Sequence, residues 1–142
     1  CVDAMNNKAA ALGMSTAHFV EPTGLSSRNV ASPEDLAKLV LAAAGNRTIS
    51  EYSTSARHTV TVSRHLLEFR NTNLLVANPA WQVEVQKTGY IQEAGRCLVM
   101  QAVIDGRPIV MVLLNSYGKY TRIADAKRVR NWLESRSRVA AL

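Results

Sequence analysis

The dipeptide Asp105-Gly106 constrains the fold more than any other feature of the chain. It separates two apolar runs, residues 97–104 and 109–114. Asp-Gly suits the two positive-φ positions of a tight hairpin turn, so these runs must return on each other antiparallel. A third extended run, Gln82-Val83-Glu84-Val85-Gln86, is closed by Lys87-Thr88-Gly89-Tyr90 and leads through a short polar turn into residues 97–104. The three strands read as an antiparallel meander.

Upstream, the periodicity is helical. Val2, Met5, Ala9 and Leu12 recur at helix spacing and the pattern stops at Gly13, so Cys1 is read as lying inside a helix whose beginning is missing. Phe19-Val20-Glu21-Pro22-Thr23-Gly24-Leu25 is a loop with Pro and Gly turn signals. Ser32-Pro33-Glu34-Asp35 opens a second helix: serine caps, proline takes the first turn, and acids sit at the positive end of the dipole. Leu36, Leu39, Val40 and Ala43 form its expected buried stripe, Gly45 ends it, and a short helical piece follows over residues 48–53. His58-Thr59-Val60-Thr61-Val62 alternates like a half-buried strand, and Asn71-Thr72-Asn73-Leu74-Leu75 is a polar loop entering an apolar anchor. A last helix is expected over residues 121–135, with Ile123, Ala126, Val129, Trp132 and Leu133 inward. Helices, then an antiparallel sheet, then a packing helix define an α+β class in a single unit, residues 1–142.

Lys plus Arg number 17 against 11 for Asp plus Glu, a net charge of +6. This favours an anionic partner: nucleic acid, an acidic membrane face, or a carboxylate-bearing polymer such as peptidoglycan. Nucleic acid is set aside, since the chain lacks a helix-turn-helix pattern, zinc spacing and paired strand aromatics. Much of the excess lies in residues 119–138 and reads as the solvated face of the last helix. His18, His58 and His65 share no metal-ligand spacing, and Cys1 with Cys97 cannot make a zinc site, so neither metal nor cofactor is expected. The two cysteines could pair in an oxidising compartment if the first helix packs near the strand of Cys97. Asn46-Arg47-Thr48 matches a glycosylation sequon by chance ahead of a helix cap. No run of about eighteen apolar residues exists to span a membrane.

A Lys-Thr-Gly closing a strand, with a hairpin partner behind it, is the third signature of serine enzymes that bind penicillin. Lys87 places a cation beside a nucleophile, Thr88 offers a hydroxyl to a substrate carboxylate, and Gly89 lets a substrate backbone lie close. Four further segments agree in order: Ala4-Met5-Asn6-Asn7-Lys8-Ala9 with Leu12-Gly13-Met14; Phe19 through Leu25; Ser32 through Leu39; and Ala94-Gly95-Arg96-Cys97-Leu98-Val99. Together they resemble the low-molecular-mass penicillin-binding proteins, the D-alanyl-D-alanine carboxypeptidase and endopeptidase family. Phe69-Arg70-Asn71-Thr72-Asn73 and residues 114–122 look closest to its endopeptidase branch, the penicillin-binding protein 7 group.

The resemblance implies the C-terminal part of a DD-peptidase fold, in a periplasmic peptidoglycan hydrolase that acts through an acyl-serine and is trapped by β-lactams. It implies Lys87 as catalytic and Thr88, Gly89, Tyr90, Arg96 and Arg122 as substrate-binding, with the strand edge holding a stem peptide by strand addition. Peripheral membrane association is a further implied possibility. Thr72 resembles a position where carboxypeptidase relatives can carry a basic residue; neutral and short here, it suggests a more open leaving-group side. The family's Ser-x-x-Lys and Ser-x-Asn motifs precede the point where this chain begins, so a missing N-terminal part of the same protein is expected to hold the nucleophile. Ser116-Tyr117-Gly118-Lys119 and Ser27-Arg28-Asn29 match those spacings but stand in the wrong places, one after a strand and one within a turn. A carboxypeptidase, or a peptidoglycan-binding module without catalysis, remains the alternative.

Overall fold

A computed structural model describes all 142 residues, Cys1–Leu142. Its elements are α1 (Val2–Ala11), α2 (Pro33–Ala44), α3 (Arg47–Ser53), β1 (Arg57–Val62), β2 (His65–Arg70), β3 (Gln82–Ile91), β4 (Gly95–Ile104), β5 (Arg107–Ser116) and α4 (Thr121–Ala140). The expected meander is present as an antiparallel sheet in the order β3-β4-β5, and the α+β class holds. Asp105 (φ 52°) and Gly106 (φ 72°) make the turn that joins Ile104 to Arg107.

β4 is the central strand and explains its own composition. Leu98, Met100, Ala102 and Ile104 are all but inaccessible and share one face. On that face they pack with Leu75, Trp81, Met111 and, from α4, Ile123 and Ala126. α2 lies across the other face and touches all three strands. A strand covered on both faces reads as a continuous apolar run rather than an alternating one, as residues 97–104 do. Burial of each large side chain here is worth roughly 1.5–3 kcal/mol.

α1 ends as its glycine predicts: Gly13 takes φ 71°, its N–H donates to the Ala10 carbonyl, and the Met14 N–H reaches the Ala9 carbonyl at 2.9 Å. Ala9 and Met14 are both buried at that closure. Ser32 caps α2 by accepting from the Asp35 N–H at 3.2 Å, and Asn46 caps α3 by accepting from Ile49 at 3.1 Å.

α1 follows its expected pattern from Val2, its first bond running from the Met5 N–H to the carbonyl of the exposed Cys1. Several expectations need correction. Both cysteines are free thiols. It is α2, not α1, that lies over the sheet face. Leu39 is exposed, and α2 buries Asp35 instead, whose carboxylate accepts from the Thr16 N–H (2.7 Å), the Thr16 hydroxyl (2.6 Å) and Lys38 (2.8 Å). α4 runs five residues past its expected end. Trp132 on it is 54% exposed with the Arg136 guanidinium 5.1 Å over its ring, while Arg122 takes a buried place at 7% exposure. The half-buried strand expected at residues 58–62 is exposed except at Val60, and it pairs with an unforeseen partner, β2, in a separate two-stranded sheet.

Candidate functional site

β3 is an outer strand of the main sheet, and its second half carries Lys87, Thr88 and Gly89. These three line one side of an open cavity of about 490 Å³, with a largely apolar wall opposite that includes Phe19, Val30 and Leu36. Lys87 is exposed, and its ammonium folds back onto the Thr88 carbonyl rather than onto a carboxylate. That leaves an unneutralised cation at the rim. A β-carbon built on Gly89 meets nothing within 4 Å, and the residue has no positive φ. Neither packing nor backbone conformation therefore requires glycine here, and the strand is open at this point to close approach from outside.

The opposite wall is held by a polar turn. The Glu21 carboxylate accepts from the Thr23 hydroxyl, the Thr23 N–H (2.6 Å), the Ser26 N–H (3.0 Å) and the Asn29 amide (2.6 Å). These bonds, the Thr23 hydroxyl foremost, bring its pKa down to about 2. Asn29 in turn accepts from the Val20 N–H at 2.8 Å, and the His18–Val30 bridge closes the loop on itself. Gly24 takes φ 76° within this turn.

Thr88 has a partner that residue patterns do not announce: its hydroxyl lies 2.7 Å from that of Thr72. Gln86, on the same side of β3 as Thr88, donates to the Ser53 carbonyl (2.6 Å) and to the Asn71 side chain (3.1 Å). The loop at residues 71–73 thus lies along β3, tied at two successive same-face positions.

Tyr90, Arg96 and Arg122 do not line the cavity. Tyr90 and Arg96 sit opposite each other at the β3–β4 turn, the guanidinium 4.4 Å over the ring. Arg122, at the start of α4, donates to the Cys97 carbonyl at 3.4 Å, where an irregularity interrupts the β4–β5 ladder and Asn115 takes φ 54°. Burial, and then the Arg96 charge, lower its pKa. Cys97 pairs with Gly89 across the β3–β4 ladder and lines the cavity. Ser116 is the buried last residue of β5, and Ser27 stands on the cavity wall within the turn that residues 26–29 form. The apolar wall and the Thr72 contact had no signal in local periodicity, since both arise from segments far apart in sequence.

Comparison with known proteins places this geometry. Residues 1–118 match the family model described as D-alanyl-D-alanine carboxypeptidase. The chain is 46% identical over 136 residues to the D-alanyl-D-alanine endopeptidase of Pseudomonas aeruginosa, covering 94% of this chain and 44% of that protein. It superposes on the crystal structure of the Streptomyces K15 DD-transpeptidase with a TM-score of 0.81 at 27% identity, covering 92% of this chain and 52% of the other. Penicillin-binding protein D2 from Listeria monocytogenes, in its cefotaxime-bound form, superposes with a TM-score of 0.76 at 26% identity, covering 92% and 53%. The chain spans about half the length, or slightly less, of these relatives. It belongs to the D-alanyl-D-alanine carboxypeptidase family.

Proposed function

We propose that this chain is the substrate-holding part of a periplasmic peptidoglycan hydrolase, a serine D-alanyl-D-alanine endopeptidase that cleaves peptide cross-links. The observation that carries the reading is the open face of Gly89 beside Thr88 on the cavity wall, with Lys87 unneutralised next to them. A stem peptide laid along β3 would pair with the strand's backbone, and Gly89 would let it come close. The nucleophilic serine would come from a segment outside these 142 residues, as the greater length of the relatives suggests. Its oxygen would add to the penultimate D-alanine carbonyl, the amide bond would break with a proton passing to the departing amine, and water would hydrolyse the resulting ester. Lys87 would favour the charge that develops during attack, and a β-lactam ring would be opened by the same serine. The relative solved with cefotaxime supports that last step.

Endopeptidase is preferred to carboxypeptidase on one feature besides the identity to endopeptidases. Thr72, which touches Thr88, is neutral, so no added cation selects a free terminal carboxylate there. The test gives the full-length protein cross-linked muropeptide dimers and monomeric pentapeptides side by side. The dimers should be cleaved faster, and Lys87→Ala should slow cleavage by about 10²–10⁴ without loss of folding. Equal or faster trimming of the monomer defeats the endopeptidase assignment, and an unchanged rate in Lys87→Ala removes that lysine from the site.

A further inference from the structure

We propose that Thr72 is a positioning residue for Thr88, turning the Thr88 proton into the cavity and making the pair a neutral donor for either an internal carbonyl or a terminal carboxylate. This rests on the function proposed above. Two hydroxyls 2.7 Å apart share one proton between them and leave the other free. A substrate oxygen in either chemical form only accepts, so it needs the free proton to point at it. Either hydroxyl can be the donor. In the arrangement proposed here Thr72 donates, which occupies one of the two lone pairs of the Thr88 oxygen and leaves the Thr88 proton free to face outward. A lone threonine would instead divide its time among rotamers and water.

The loop is built to hold Thr72 in place. The Asn71 amide donates to the carbonyls of Ser53 (2.9 Å) and Ser55 (3.1 Å), while its oxygen accepts from the Asn73 N–H (3.0 Å) and the Gln86 amide (3.1 Å). All the ordinary capacity of that side chain, two donors and two lone pairs, is engaged. Ser53 closes α3, so its carbonyl is among those a helix leaves without an internal partner, and here two side chains satisfy it. Asn73 is wholly buried one residue beyond, and Gln86 is 8% exposed two residues before Thr88. Between these two anchors Thr72 has little freedom to slide along β3. The frame therefore ties a neutral hydroxyl, rather than a flexible cation, to the third-motif threonine.

The test compares the full-length wild type with Thr72→Val, Thr72→Ser, Thr88→Val and the Thr72→Val/Thr88→Val double variant, reading the second-order rate of acylation by a fluorescent penicillin and the melting temperature. Thr72→Val keeps the shape and removes the hydroxyl; it should acylate about tenfold more slowly at an unchanged melting temperature. Thr72→Ser should stay within about threefold of wild type. The double variant should be no slower than Thr88→Val alone, because Thr72 acts through Thr88. Wild-type uptake with an unmoved Thr72→Val rate, a Thr72→Ser rate as low as that of Thr72→Val, or additive effects in the double variant each overturn the positioning role alone. Failure of the wild type to take up penicillin overturns both this role and the function on which it rests.

Discussion

The two sheets of this molecule use the same turn geometry for different ends. β4 and β5 meet at Asp105-Gly106, β1 and β2 at Ser63-Arg64, and in both cases the two turn residues have positive φ. The first hairpin is enclosed between α2 and α4 and supplies most of the core. The second stands free of it: Leu66 is 74% exposed, and Val62, Leu67 and Phe69 are also open. Its ion pairs, Glu68 with Arg70 and more distantly with Arg57, are exposed and add little. A hairpin is thus a local solution to chain reversal, and its stability depends on what covers it. The covered one carries Lys87–Thr88–Gly89 on its neighbouring strand, where rigidity serves positioning.

The contrast can be broken first by truncation. Leu98→Ala should destabilise the fold by about 2–5 kcal/mol in denaturant unfolding, whereas Leu66→Ala should change it by no more than about 0.5 kcal/mol. Comparable losses would mean that the exposed hairpin is as integral as the enclosed one. Gly95→Ala should rank next. Gly95 takes φ 66°, and an added β-carbon would sit 2.7 Å from the Asn115 side-chain oxygen and 3.1 Å from its Cα. The expected cost is about 1–3 kcal/mol, and a neutral result would show that β5 yields more readily than a packed sheet should. The smallest effect comes from the reverse change in the free hairpin. Ser63→Asn with Arg64→Gly gives its turn the residues its angles favour, and amide exchange in β1 and β2 should slow by about two- to fivefold with global stability nearly unchanged. Equal slowing in β4 would join the two sheets into one cooperative unit.

Legibility followed the same division. The Asp105-Gly106 turn, the Ser32 cap and the Gly13 stop were readable because each sets its own backbone through a local bond or a permitted φ. Ser63-Arg64 adopts comparable angles without Gly or Asn, so β2 had no turn signal in front of it. Apolar periodicity placed α2 and α4 but misjudged Leu39 and Trp132, since a period specifies a face and not how far the neighbouring layer extends over it. Lys87, Thr88 and Gly89 stand out in the sequence because their chemistry is contiguous, and the structure sets all three on one cavity. Thr72 against Thr88, Glu21 beneath the facing turn and Arg122 against the Cys97 carbonyl depend on partners brought together only by folding.

The outer position of β3 has a consequence for solubility. A strand margin that can receive a peptide offers the same backbone groups to a second copy of the chain. In β3 the pairing register shifts between Val83 and Val85, and Lys87 stands exposed beyond that shift. An antiparallel second copy centred on residue 87 would set two ammonium groups face to face, and like charges opposite one another disfavour such pairing. The lysine that would meet a substrate is therefore also the one that discourages self-association at the open margin.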